Sequence, residues 1–414
     1  MSGSYPAFEG ERLSVLQAAA VDGGRVAGRL SGRPEAGQLR DASGSVGLSW
    51  DIALAKAGDI VSGRLIQTPE GLRLSELEVL VACRPESLDG GRQLQALLPA
   101  LALRASIVDG IRSFFKQAGF LEVSTPMLVR CPGMEVHLKA FPVGRSERWL
   151  RTSPELFHKR LLVAGIEKLF ELGRAFRADE TGDWHSSEFD LLEWYRAYDS
   201  LAALAADCER LLAYAAISAG LDPRAAVSGV DLRAPFERTS VRAAVRARTG
   251  IDLAEHAEAA RLRELVRRRG HHPPPDEDWD TLFFRLWTSE VEPHLGWGRP
   301  ALVFDYPASQ AALARVRPDP SWPVAERFEL YVKGIELANA FHELNDPAEQ
   351  RRRHMAEREE RRRSGRDVYP LDEAFLGAVE AGMPPAAGIA LGVDRLVALL
   401  AGRQRLHEVS AFGW

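Results

Sequence analysis

Between Arg174 and Arg196 the chain reads RAFRADETGDWHSSEFDLLEWYR, a spacing of charged and aromatic residues that could do chemistry. Leu169–Arg177 and Phe189–Tyr195 read as two strands joined by a polar loop with Gly182, Asp183 and two serines. Period-two alternation puts Phe189, Leu191, Glu193 and Tyr195 on one strand face. A carboxylate and a phenol on an apolar face are costly unless they meet a polar partner or a ligand. Arg174 and Arg177 open the loop, and a planar guanidinium suits bidentate contact with phosphate. Taken alone, the stretch fits equally well a half-buried hairpin with an ordinary ion pair.

Further along, Glu336 and Glu343 stand seven apart in GIELANAFHE, with Glu329 seven residues earlier. Magnesium takes a few carboxylates together with phosphate oxygens, so such glutamates suit a metal-bridged nucleotide. Thr152-Ser153-Pro154-Glu155 has the form of a helix opening, with the acid at the positive end of the helix dipole. His271-His272 precedes three prolines and reads as a loop rather than a metal site.

The elements that must position these residues follow from periodicity. Residues 24–83 form short β-segments with turns at Asp41–Gly44 and Pro69–Gly71. Pro85–Gln95 is a polar linker, and Leu97–Gln117 has helical spacing through Leu101, Ile107, Ile111 and Phe114. Helices are expected over Leu201–Leu221, twice within Thr239–Gly270, over Thr281–Val291 and over the charged Ala348–Arg366. The 414 residues therefore divide into 1–94, a β-barrel with its linker, and 95–414, a catalytic domain. At 46% hydrophobic and 27% charged residues, the composition is that of a soluble globular protein, and a cytoplasmic setting is expected. A net charge of -5 gives no general attraction to nucleic acid, which weighs against obligatory tRNA binding. Cys83, Cys131 and Cys208 are scattered and odd in number, which indicates neither a disulfide framework nor a zinc site. No apolar run approaches a membrane span of roughly 18 residues, and MSGSYPAFEGERL does not read as a signal peptide.

RAFRADE…EFDLLEWYR resembles motif 2 of the class II aminoacyl-tRNA synthetases of the lysine-type subclass, and GIALGVDRLVALLAG resembles their motif 3. ERFELYVKGIELANAFHELND is similar to their acidic segment for ATP and lysine. RTSPELFHKRLLVAGIEKLFELGRAFR and YPASQAALARV narrow the resemblance to the ligases of this class that attach (R)-β-lysine to a lysine side chain of elongation factor P. It extends from about Leu101 to the C-terminus.

The resemblance implies an α+β fold: an antiparallel class II sheet with flanking helices, preceded by a small OB-like β-barrel around the turn LRDASG. It implies an enzyme that uses ATP and Mg2+, forms a β-lysyl-adenylate and transfers the β-lysyl group to elongation factor P. Arg177 and Arg395 would be catalytic, holding the α- and γ-phosphates. Ala178, Asp179, Ser186, Glu336, Leu337 and Gly392 would complete the ATP site, with Glu336 and Glu343 on the metal. Ser153, Pro154, Glu155, Glu193, Tyr195 and Glu343 would bind the amino acid. The helix Leu97–Gln117 and the run from Gly119 to Pro126 resemble motif 1, which implies a homodimer. The sequence departs from the pattern at Asp179, where glutamate is usual, at Ser186, where asparagine is usual, and in carrying the N-terminal extension. Ala390 stands where the tRNA synthetases have glycine, which favours the ligase. The rivals are a compact lysyl-tRNA synthetase and a synthetase-like protein that binds an amino acid without catalysis. Arg177, Glu336, Glu343 and Arg395 argue against the second rival. Trp50 is the only aromatic between Arg12 and Leu101, so a structural or protein-docking barrel is expected rather than a base-stacking one.

Overall fold

The computed structural model describes residues 13–41, 43–83, 88–144, 147–320 and 322–412, with the backbone alone for 88–96. It falls into two compact units that meet in sequence at Pro99 and Ala100.

In the first unit a short helix α1 (Val15–Ala19) precedes β1 (Gly24–Arg33), β2 (Ala36–Asp41), β3 (Gly44–Leu48), β4 (Ile60–Thr68) and β5 (Gly71–Val81). They form one antiparallel sheet in the order β3-β2-β1-β4-β5. Just past β3, Ser49 makes a parallel bridge to Arg73 of β5. There Ser49 N donates to Leu72 O at 3.0 Å and Leu74 N donates to Ser49 O at 2.9 Å. The two ends of the sheet therefore touch, as an OB-like sheet requires. Val26, Leu30, Leu39, Val61 and Leu65 fill the interior, and Trp50 packs into it at 5% exposure. A side chain at Gly37 would come within 2.3 Å of the Trp50 ring, so the indole needs glycine beneath it. Ala42, in the expected Asp41–Gly44 turn, lies outside the described residues.

Helix α2 runs Leu88–Gln117, nine residues further back than its apolar spacing announces, and passes through Pro99. The expected linker Pro85–Gln95 is thus helical from Leu88 on, while 84–87 lie outside the described residues. Extending a helix already nucleated costs far less than starting one, so a polar lead-in can join it without an apolar stripe of its own.

The second unit is built on a nine-stranded sheet of β6 (Leu121–Glu122), β9 (Lys168–Phe176), β10 (Glu188–Ala197), β11 (Glu237–Ser240), β12 (Ala301–Pro307), β13 (Val316–Arg317), β14 (Val324–Val332), β15 (Ile335–His342) and β16 (Ala386–Gly392). The order is β11-β12-β14-β15-β16-β10-β9-β6, with β13 beside β14, and a separate pair joins β7 (Leu128–Val129) to β8 (Trp149–Leu150). Interior pairings are antiparallel, while the short edge strands β6 and β11 join in parallel. Around the sheet stand α3 (Glu155–Val163), α4 (Leu201–Ser218), α5 (Val241–Thr249), α6 (Ala259–Arg268), α7 (Trp279–Leu286), α8 (Pro347–Arg363), α9 (Glu373–Gly382) and α10 (Val393–Leu400). The fold is α+β. Among the described residues no helix is long and apolar enough to cross a membrane.

One face of the central strands is a dry core. Phe170, Leu192, Trp194, Ile389 and Leu391 meet Ile107, Ile111 and Phe115 of α2 and Leu204 and Leu211 of α4. Asp207 of α4, fully buried, accepts from Trp194 Nε1 at 3.2 Å and from Arg196 Nε at 2.7 Å. This buried, hydrogen-bonded charge locks α4 to β10 and turns the even-numbered residues of that strand away from the opposite face.

Phe115 lies at the centre of the aromatic cluster, stacked on Phe170 at 4.8 Å and touching Phe114, Phe120 and Trp194. Phe115→Ala is expected to cost about 3–5 kcal/mol in urea unfolding. A loss below about 1 kcal/mol would show that α2 is not held through this ring.

Candidate active site

The other face of the same strands opens into a cleft of about 720 Å³. Phe189, Leu191, Glu193 and Tyr195 all line it, as their alternation in sequence requires. Beside them β16 presents Gly388 opposite Tyr195, Ala390 opposite Glu193 and Gly392 opposite Leu191. Strand β15 contributes Glu336 to the wall, and Glu343 follows the strand's end.

One end of the cleft is acidic. Glu193, 1% exposed, accepts from Ser153 Oγ at 2.6 Å and from Tyr195 OH at 3.2 Å. Below it His158 reaches Glu193 at 3.4 Å and Glu171 at 3.0 Å. Burial pulls the His158 pKa down, but its bonds to the two glutamates outweigh this and hold it above the ordinary value. Arg151 and Thr125 complete the shell of Glu171 at 2.7 Å each, and Glu171 is lowered to about 2. Fully buried Lys159 sets its Nζ 2.5 Å from Glu155 and 2.7 Å from Glu343. Burial disfavours the charged ammonium, but the two carboxylates raise its pKa overall. Glu343 is pushed up to about 8 by burial, which the Lys159 charge only partly offsets, and its Oε1 has no hydrogen-bond partner. The pocket has more carboxylate than cation, so an ammonium group of a ligand fits it.

The other end carries the arginines. Asp394 fixes their frame by accepting from the Asp190 amide at 2.7 Å and from Arg104 at 2.6 Å. The next residue, Arg395, donates to Trp184 O at 3.1 Å and to Glu336 O at 2.6 Å, and meets His185 Nε2 at 2.9 Å. Burial and the Arg395 charge hold the His185 pKa below its usual value, so the neutral ring can accept from the guanidinium. Arg177 lies over the Phe189 ring at 5.1 Å, and its Nε is buried without a partner. Beside them burial and Glu329 push Glu336 up to about 7, and burial with Glu336 and Glu329 does the same for Glu292. Glu329 itself is held by Tyr306 at 2.5 Å, Tyr331 and Arg327. No group of three potential metal ligands is assembled among the described residues. The raised Glu336 and Glu292 nevertheless fit a divalent cation whose remaining ligands are phosphate oxygens and water.

Of the residues expected from sequence, Ser153, Glu155, Arg177, Ser186, Glu193, Tyr195, Glu336, Leu337, Glu343, Gly392 and Arg395 line this one cleft. Pro154, Ala178 and Asp179 are not on its wall. Pro154 caps α3, and the Ala178 amide donates to Lys139 O at 2.7 Å. Asp179, at φ 69°, turns outward to Lys139 at 2.8 Å. An added Cβ at Gly392 would make only ordinary contact with Arg395, so the fold itself does not demand glycine there, and room is left for a ligand. Sequence reasoning noted Glu329 but not its partner Arg327, and it overlooked Glu135, which lies outside the motifs in the chain. It also missed Gly388, where a Cβ would fall 2.2 Å from the Tyr195 ring and 2.3 Å from Glu343 Oε1.

Residues 92–414 match the tRNA synthetases of class II (D, K and N). The chain is 38% identical over 328 residues to the elongation factor P–(R)-β-lysine ligase of Haemophilus influenzae strain PittGG, covering 77% of this chain and 96% of that protein. It is 40% identical over 330 residues to the ligase of the same name from Salmonella arizonae, with 77% and 96% covered. The one from Mannheimia succiniciproducens is 39% identical over 331 residues, with 78% and 97% covered.

Gly388→Ala is expected to destabilise the protein by about 1–3 kcal/mol in urea unfolding, because the methyl must displace Tyr195 and Glu343 together. Unchanged stability would show that these two side chains yield freely.

Proposed function

The chain belongs to the class II tRNA synthetases (D, K and N), and from that premise we propose that it is an ATP-dependent ligase activating (R)-β-lysine for transfer to a lysine of elongation factor P. One observation carries the reading: a single cleft joins an arginine end to an acidic end lined by Ser153, Glu155, Glu193, Tyr195 and Glu343. A dicationic amino acid lies with its ammonium groups on those carboxylates and its carboxylate toward Arg177. Oxygen of that carboxylate attacks the α-phosphorus of ATP, and the bond to the bridging oxygen of pyrophosphate breaks. Arg177 stabilises the charge that develops at the α-phosphate, and Arg395 holds the γ-phosphate. Glu336, with Glu292 beside it, would hold Mg2+, which when bound neutralises phosphate charge, while Glu343, paired with Lys159 at the acidic end, serves the ammonium instead. The ε-amine of the acceptor lysine then attacks the adenylate carbonyl. An amide forms, AMP leaves and the amine's proton is released.

The N-terminal sheet weighs against the tRNA reading. Its one aromatic, Trp50, is buried with Nε1 donating to Ala55 O at 3.0 Å, so it cannot stack on a base. We also propose a homodimer through the segment after α2, where Leu121, Met127 and Leu128 are exposed. A purely monomeric sedimentation profile at micromolar concentration would remove that part.

Offering elongation factor P and tRNA as competing acceptors, with ATP and labelled β-lysine, tests the function. Intact mass should show the label on the protein, and label found on tRNA alone would overturn the reading. In the same assay Arg177→Ala should reduce ATP–pyrophosphate exchange by about 100-fold or more while leaving unfolding unchanged. Near-normal exchange would remove Arg177 from its role.

Ala390 lies opposite both Glu193 and Asn339, on the cleft wall where the substrate backbone must run. Its methyl disfavours an amine one carbon nearer the carboxylate. Ala390→Gly should therefore raise kcat/KM for α-lysine relative to β-lysine by about tenfold. An unchanged ratio would place selection elsewhere in the pocket.

A further inference from the structure

The cleft has a third wall that neither of its ends uses. Helix α7 brings Asp280 and Phe284 to it, and the turn Ala308–Gln310 adds Ser309 and Gln310. Asp280 Oδ1 accepts from Ser309 Oγ at 2.6 Å and from Gln310 Nε2 at 3.2 Å, which ties the helix to the turn. Among the described residues no cation pairs with Asp280, and both of these bonds fall on one oxygen, leaving Oδ2 open. Gln310 is 8% exposed, and its Oε1 is buried without a partner. Its carbonyl accepts from Arg327 at 2.9 Å, so the residue is pinned at its backbone as well as at its amide. A buried amide oxygen without a donor is costly, and Asp280 sets an open carboxylate oxygen on the neighbouring side chain. Two acceptors with no donor between them fit an ammonium. Phe284 follows Asp280 by four residues, on the same helix face, and is 45% exposed. An aromatic ring there can flank an aliphatic stem and lie beside its charge.

Strand register sets this wall apart from the amino-acid carboxylates. Glu193 and Tyr195 stand on β10, to one side of β16, while Asn339 and Phe341 of β15 stand on the other. Arg327 of β14 pairs with Phe341, and the same arginine holds Gln310. Asp280 and Gln310 therefore flank the cleft from the β14 side, with the Ala390 track of the substrate backbone between them and Glu193. The wall also reaches the mouth, since Ser309 and Phe284 are exposed. Asp278, the cap of α7, is held below the usual carboxylate range by its bonds from Thr281 and further by His137, itself exposed on the cleft wall. The His137 segment and the start of α7 thus stand near each other at the rim. A side chain carried in by another protein passes Phe284 and Asp280 on its way to the adenylate.

We propose that Asp280, Gln310 and Phe284 form a docking subsite for the ammonium of the acceptor lysine, on the opposite flank of the cleft from the amino acid's own amines. This rests on the ligase reading above.

The test gives the full chain ATP and (R)-β-lysine and offers the adenylate three acceptors. These are elongation factor P, Nα-acetyl-lysine methylamide, and hydroxylamine, which arrives uncharged. Asp280→Asn keeps an oxygen for Ser309 and Gln310 but removes the charge. It is expected to lower kcat/KM for both lysine acceptors about tenfold, with hydroxamate formation and ATP–pyrophosphate exchange within about twofold of the unaltered protein. Phe284→Ala should lower transfer to the lysine acceptors about threefold, and unchanged transfer would remove the ring from the subsite. In Asp280→Asn, a loss shared equally by hydroxylamine, or no loss with either lysine acceptor, would overturn the subsite even where the unaltered protein labels elongation factor P. A raised KM for β-lysine in the exchange assay would put an amine of the amino acid there instead, and would overturn it too. If the unaltered protein labels tRNA and not elongation factor P, the ligase reading falls, while transfer to the lysine amide that still depends on Asp280 leaves the subsite standing. Transfer to neither lysine acceptor by the unaltered protein would overturn both.

Discussion

Buried negative charge shapes this protein more than any other single term. Glu155, Glu193 and Glu343 at one end of a cleft, and Glu171 beneath them, are withdrawn from water against three resident cations: Lys159, His158 and Arg151. Removing one partner of a buried pair costs about 3–5 kcal/mol, whereas an exposed pair contributes about 0–1 kcal/mol. The carboxylates therefore need both the cations beneath them and the rigid sheet that holds those cations. Glu171 satisfies the demand through three bonds, from Arg151, Thr125 and His158, and is lowered to about 2. Glu343 does not, and is raised to about 8. That difference separates a supporting carboxylate from one left available to a ligand.

The same logic governs the arginine end with opposite sign. Arg395 is aimed by two carbonyls and a neutral histidine, none of which cancels its charge. Arg177 rests on an aromatic face rather than on a close carboxylate, Glu180 standing 3.8 Å away. Both guanidiniums thus keep charge for an anionic ligand. A cleft with spare positive charge at one end and spare negative charge at the other orients an amino acid before any reaction begins.

The first unit obeys different constraints. The ends of its sheet touch through backbone bonds at Ser49, and it is filled by aliphatic side chains and one tryptophan. Trp50 serves as core, so its presence in a barrel of this type does not by itself indicate base stacking.

Much of the site was legible in the chain because strand periodicity is local. Phe189, Leu191, Glu193 and Tyr195 share a face for purely geometric reasons, and the motifs that carry Arg177, Glu336 and Arg395 do meet in the same cleft. The N-terminal strands were legible likewise, from turn residues and alternation. The start of α2 was not, since its first turns carry no apolar stripe. Nor was Asp179, whose positive φ and pairing with Lys139, forty residues away, turn it out of the cleft. The sequence by itself determined which residues share a strand face and which motifs follow one another. Tertiary structure alone decided which buried charges are compensated, because Lys159 and Glu343 come from elements far apart in the chain, and an ion pair's energy depends on distance and dielectric rather than on order.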